Sequence, residues 1–180
     1  IKNGYLQNGG GVYINNYTSP KLENLNISNN SASTGAGIFI ADHSNPRLRN
    51  TTISDNSAIS GGRGGGIYIS DYSSPNLENV TIRNNSTDGG AGGIYISDYS
   101  NPNLENVTIS GNSSKTGGGG IFMSDYCNPT LQNVTISGNS ASSGGGISIN
   151  QSSPSLINVI ISGNSASSGN GGGINCNDKA

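Results

Sequence analysis

Gly64-Gly65-Gly66-Ile67-Tyr68-Ile69-Ser70-Asp71-Tyr72-Ser73-Ser74-Pro75-Asn76-Leu77-Glu78-Asn79-Val80-Thr81-Ile82-Arg83-Asn84-Asn85-Ser86 is a stretch that recurs, with small changes, along nearly the whole chain. Copies open at Gly9, Gly35, Gly64, Ala91, Gly118 and Gly144, and a seventh opens at Gly171 and runs to Cys176. The steps between them are 26, 29, 27, 27, 26 and 27 residues. A period of this length marks a stack of equivalent units rather than a globule with one irregular pocket. Within the copy, Ile67-Tyr68-Ile69 and Val80-Thr81-Ile82 alternate apolar with polar-tolerant positions, and Leu77 stands alone shortly after Pro75. Alternation in short β-branched runs predicts strands, with Ile67, Ile69, Leu77, Val80 and Ile82 on one face. No segment carries a 3.6-residue period long enough for a helix.

The expected fold is therefore all-β: a parallel solenoid of about six complete coils of 26–29 residues, with three short strands in each. Coils joined through strand hydrogen bonds rise by about 4.8 Å, so six would span roughly 30 Å. The core is expected as ladders along the axis, such as Ile14-Ile40-Ile69-Ile96-Met123-Ile149 and Leu22-Leu48-Leu77-Leu104-Leu131-Leu156. Each complete copy holds one proline, at Pro20, Pro46, Pro75, Pro102, Pro129 and Pro154. Proline lacks a ladder donor and belongs at a corner or at a strand's first residue. Two asparagine columns mark other corners: Asn24, Asn50, Asn79, Asn106, Asn133 and Asn158, then Asn30, Asn56, Asn85, Asn112, Asn139 and Asn164. Asparagine tolerates the left-handed turn conformation, and its amide can bond its equivalent one coil away. Length differences gather just before the glycines, at Ile59-Ser60-Gly61-Gly62-Arg63 above all. That edge is read as a Gly/Ser spacer, although loops of this kind in repeat proteins often line a binding face.

Composition removes several function classes. Only 31% of the 180 residues are hydrophobic and only 10% are charged, with a net charge of -2. No basic stripe exists to grip nucleic acid, and no apolar run is long enough to span a membrane as a helix. Low apolar content alone would suggest disorder, but the apolar residues fall at fixed repeat positions. Cys127 and Cys176 sit at different repeat positions, so their pairing is left open. Neither has a zinc-ligand partner at a useful spacing. The many Asn-x-Ser/Thr triplets, such as Asn79-Val80-Thr81, arise from the repeat itself. The chain is read as a single domain over 1–180, with 1–8 the tail of a preceding coil, 9–170 the six coils and 171–180 a partial seventh.

The pair formed by Ile109-Ser110-Gly111-Asn112 and Gly118-Gly119-Gly120-Ile121 resembles the repeats of right-handed parallel β-helices. It is particularly similar to repeats of secreted bacterial surface proteins, including polymorphic outer-membrane proteins, which carry Phe in place of this Ile and Ala in place of the third Gly. The resemblance runs from about Gly9 to Cys176. It implies a right-handed coil of the pectate-lyase-like class, an extracellular or cell-surface location, and a bacterial source. That class includes polysaccharide lyases and hydrolases, adhesins and phage tailspikes, so the fold does not choose an activity.

An enzyme would need a local departure from the repeat. His43 replaces the tyrosine of Tyr17, Tyr72, Tyr99 and Tyr126, and Arg47 and Arg49 follow it. The resemblance implies that a lyase would use an Arg or Lys base, often with calcium, which makes His43, Arg47 and Arg49 the catalytic candidates. Against this, Arg49 falls one coil from Glu23 and Glu78, where a surface charge ladder suffices to explain it. No cofactor is expected unless calcium binds between Asp42, Asp71, Asp98 and Asp125, a column of hard oxygen ligands; turn hydrogen bonding explains the same residues.

Two aromatic columns suggest a polysaccharide surface. Tyr13, Phe39, Tyr68, Tyr95 and Phe122 are expected to point outward on the first strand, and Tyr72, Tyr99 and Tyr126, with Tyr17, on the following turn. Exposed rings can stack on sugars while Ser, Asp and Asn nearby supply hydrogen bonds; equally, such columns stabilise neighbouring strands. A third feature is the Thr-x-Ser rank of Thr52/Ser54, Thr108/Ser110 and Thr135/Ser137, similar to ice-binding solenoids but interrupted by Asn26, Arg83 and Ile160. Neither end carries a visible cap, so the chain is expected to be part of a longer one or to stack head to tail into filaments. The expectation for function is a non-catalytic structural or adhesin-type module that binds glycans along an aromatic ladder. A polysaccharide-active enzyme and an ice-binding or filament-forming solenoid are the alternatives.

Overall fold

The computed structural model describes residues 1–177; the last residues of the partial seventh repeat, 178–180, lie outside the described residues. In the third repeat the strands are Ile67–Ile69, Asn76–Glu78, Thr81–Arg83 and Ser86–Thr87. Every strand pairs in parallel with its equivalents in the adjacent repeats, on both sides within the stack and on one side at its ends. Ile67 stands beside Ile38 and Ile94, Leu77 beside Leu48 and Leu104, and Ile82 beside Ile53 and Ile109. The result is a parallel solenoid with four sheets running along its axis, two of seven strands and two of six. Among the described residues there is no helix.

Four strands per coil correct the expected three. The additional strand, Ser86–Thr87 and its equivalents, turns a small residue inward in each coil: Ala32, Ala58, Thr87, Ser114 and Ala141 are all buried. It carries no large apolar side chain, so alternation of hydrophobicity cannot reveal it. The three strands read from sequence behave as expected, with Ile67, Ile69, Leu77, Val80 and Ile82 all buried in one continuous core. At roughly 1.5–3 kcal/mol for each buried Ile, Leu or Val side chain, these ladders are the main source of stability.

The corners explain the polar columns. Each proline lies directly before a second strand, and the carbonyls of the first five accept from the amide one coil on, as in Asn76 N–H to Pro46 and Asn103 N–H to Pro75, both 3.0 Å. The first asparagine column is exposed and left-handed, with φ of 48–56°. Its amides bond along the axis, as from Asn133 Nδ2 to Asn106 Oδ1 at 3.2 Å. The second column differs. It is not left-handed; that conformation falls on the preceding residue, Asn29, Asp55, Asn84, Gly111, Gly138 or Gly163. Its side chains turn inward, where Asn56, Asn85 and Asn112 are fully buried. Each Nδ2 there donates to the next Asn Oδ1 at 2.9–3.0 Å, and each Oδ1 also accepts a backbone N–H. Buried amides are tolerable only when bonded in this way.

The 29-residue second copy keeps its ladders in step. Ser57 and Ala58 pair with Ser31 and Ala32, and pairing resumes at Arg63 opposite Thr34. The additional residues loop out between these points as a bulge, with Ser60 and Gly61 left-handed.

Candidate functional site

The turn after the first strand carries the most unusual backbone in the molecule. Asn16 and Tyr17, Asp42 and His43, Asp71 and Tyr72, Asp98 and Tyr99, and Asp125 and Tyr126 are consecutive pairs in which both residues have φ of 53–63°. Asn and Asp accept this conformation; a bulky residue there is an outlier that costs roughly 1–2 kcal/mol. Five aromatic side chains are nevertheless held on these turns, one in each of five coils.

They form a continuous stack. Ring centroids are 4.8 Å apart from Tyr17 to His43, 5.3 Å from His43 to Tyr72, 5.2 Å from Tyr72 to Tyr99 and 5.6 Å from Tyr99 to Tyr126, with planes within 16° of parallel. The tyrosines remain 71, 55, 47 and 55% exposed in chain order. His43 takes its place as a ring of the stack, and its Nδ1 lies 3.3 Å from Asp42 Oδ1.

The first-strand column, Tyr13, Phe39, Tyr68, Tyr95 and Phe122, is also stacked, with centroids 5.0–5.4 Å apart. It does not present an open row. Tyr13 is exposed, Phe39, Tyr68 and Phe122 are half-buried, and Tyr95 keeps only 5% of its surface. Gly90 lies against the Tyr95 ring with no room for a Cβ. The Arg63 guanidinium stands 5.2 Å from the ring centroid. Burial pushes the Tyr95 phenol pKa upward. The inserted edge of the second coil thus helps to cover this column.

The Asp column runs beside the exposed stack. Asp71, Asp98 and Asp125 each accept a hydrogen bond from the preceding serine hydroxyl, at 2.6–2.7 Å. Asp42 follows Ala41 and meets His43 instead. The carboxylates are strung along the axis with local partners. Among the described residues no three acidic, His or Cys side chains gather at one point.

His43, Arg47 and Arg49 do not converge. His43 lies in the stack, while Arg47 and Arg49 lie on the second strand and share one carboxylate, with Glu78 Oε2 2.7 Å from Arg47 and Oε1 3.3 Å from Arg49. The hydrogen bond from Arg47 holds the Glu78 carboxyl below its ordinary range and raises the Arg47 guanidinium. Glu23 pairs in register with Arg49 from the other side. Cys127 and Cys176 are free thiols, the first buried and the second exposed. In the Thr-x-Ser rank, Thr108 is exposed, Thr52 and Thr135 are half-buried, and Arg83 and Ile160 break the row.

A family model for the right-handed β-helix region matches residues 10–180. The chain belongs to the right-handed β-helix family. No curated protein and no solved structure matches it. The family supplies the hand of the coil, and in this right-handed β-helix both aromatic columns and the Asp column run parallel to the axis. The exposed stack was visible in the sequence as a column. What the sequence did not reveal is its left-handed backbone; the recurrence of Asp or Asn directly before each ring is the signal that could have found it.

Proposed function

We propose that this β-helix is a rigid, non-catalytic module of adhesin type, placed outside the cell or on its surface, that binds polysaccharide along the stack of Tyr17, His43, Tyr72, Tyr99 and Tyr126. The observation that carries the reading is conformational. Asparagine or glycine would sit on these turns with less strain, yet five coils place an aromatic ring there and leave it half in water. Strain maintained at repeated surface positions points to use of the side chain. Rings of this kind bind the apolar faces of sugars, and their phenol hydroxyls can donate to or accept from sugar hydroxyls.

The paired Arg47 and Arg49 favour this over polysaccharide cleavage, since a catalytic base must be free to take a proton. The test is a glycan array probed with the wild type and with a Tyr72→Asn/Tyr99→Asn double variant. Asparagine suits the left-handed turn, so the variant is expected to melt within a few degrees of the wild type while losing glycan binding. Binding retained by a folded variant would remove the stack from the site.

A further inference from the structure

We infer that the exposed stack takes one extended, uncharged, β-1,4-linked polysaccharide chain, laid parallel to the solenoid axis with one sugar ring per coil. This rests on the glycan reading above and narrows it to a linkage class and a charge.

The period of the stack matches such a chain. Carbon atoms in contact are roughly 3.5–4.0 Å apart. Near-parallel rings with centroids 5.2 Å apart, as at Tyr72 and Tyr99, therefore touch only when slipped sideways, the offset arrangement aromatic pairs prefer. Slipping uncovers a strip of each face, in keeping with the 47–71% exposure of the tyrosines. The stack is thus a straight terrace with a step of 4.8–5.6 Å. A β-1,4-linked pyranose chain is a flat, straight ribbon that advances by about the length of one sugar per residue, which is the same step. Each added sugar meets an equivalent ring. An α-1,4-linked glucan curls away from a straight line and loses this register after one or two residues.

Charge along the stack selects against an anionic chain. Asp42, Asp71, Asp98 and Asp125 directly precede four of the five rings, and Asp42 Oδ1 stands 3.3 Å from the His43 ring nitrogen, inside the screening length of roughly 8 Å at physiological ionic strength. A uronate or sulfated chain on the terrace would run alongside a row of like charge. The nearby cations do not offset it, because Arg47 and Arg49 are already bound to Glu78. The chain that fits is neutral.

The test is calorimetric titration of the 180-residue protein with cello- and chito-oligosaccharides of two to six sugars, beside maltohexaose and oligogalacturonate. The β-1,4-linked series is expected to bind with an affinity that climbs with each sugar up to five, the number of rings in the stack, and then levels. Tyr99→Asn, which removes a ring flanked by two others, is expected to weaken the hexamer by roughly tenfold. Preference for maltohexaose or oligogalacturonate, abolished by Tyr99→Asn, would overturn this inference and leave the glycan-binding function standing. Binding of the β-1,4 series that ignores Tyr99→Asn or shows no length dependence would also overturn it. Absence of binding to every glycan in this series and on the array would overturn both.

Discussion

At Asn112 four hydrogen bonds meet on one buried amide. Its Oδ1 accepts from the backbone and side chain of Asn85, and its Nδ2 donates to Ile82 O and Asn139 Oδ1. Asn112→Ala strands several of these groups without water, at roughly 1–3 kcal/mol each. A loss of about 3 kcal/mol or more is expected in urea unfolding. Asn106 lies in the exposed column, and Asn106→Gly keeps the left-handed turn while losing one solvated contact, so a change within about 1 kcal/mol is expected. A similar cost for the two variants would contradict the separate roles assigned to the columns. Cys127 offers a second residue-scale test. It stands where other coils have Ser44, Ser73, Ser100 and Ser152, its own amide donates to Ser152 Oγ at 3.1 Å, and burial pushes its thiol up to about 11 from 9.0. The unfolded thiol ionises first. The stability that goes with a buried neutral thiol is therefore complete below about pH 9 and lost as pH rises towards 11. Cys127→Ser restores the repeat and is expected to flatten that alkaline fall in a pH series of melts. In the native protein one thiol, that of exposed Cys176, is expected to react with an aromatic disulfide reagent at pH 8, and both in denaturant.

Among the elements, the first three strands of each coil were legible because Ile, Leu and Val alternate with polar residues. The fourth was not, because its inward positions are Ala32, Ala58, Thr87 and Ser114, which read as loop. The aromatic columns were legible as columns, but their exposure was not. Covering of Tyr95 depends on Gly90 and on Arg63, the end of a bulge present in one coil only, and a repeat pattern cannot announce what happens once. Deleting Ser60, Gly61 and Gly62 leaves a coil as long as the first copy, 26 residues. Thr87 Oγ1 loses the Gly62 carbonyl it bonds at 2.7 Å, a cost of about 1–2 kcal/mol. The circular dichroism of the β-structure is expected to stay unchanged. Deleting Ser70, Asp71 and Tyr72 instead removes the turn between two registered strands, and failure to fold is expected. Equal tolerance of both deletions would mean that the turns do not set the register.

The whole molecule is held by neighbours only, since each strand pairs with its equivalents in adjacent coils alone, and the end strands with one coil. Stability in such an array is a sum of coil terms and interface terms, and opening starts at the ends. In the 180-residue chain the outermost coils are the less buried ones: Leu22 is half-buried and Leu156 is 38% exposed, against 0% for Leu77 and Leu104. Amide exchange is expected to be slowest for Ile69, Leu77, Ile96 and Leu104 and to quicken towards both ends. Uniform protection along the axis would indicate a single all-or-none unit instead.

The bulge at Ile59–Gly62 also bears on inheritance. A gene that lengthens by copying one unit seldom copies it to the nucleotide, and the units here differ by up to three codons. Because the residues gained by the second copy are shed at one edge of the coil, its ring, His43, still falls on the terrace, whereas the sixth copy, one residue shorter between Gly144 and Pro154, carries no ring there and ends it. Selection can then extend or shorten the contact line one rung at a time without redesigning any contact already made.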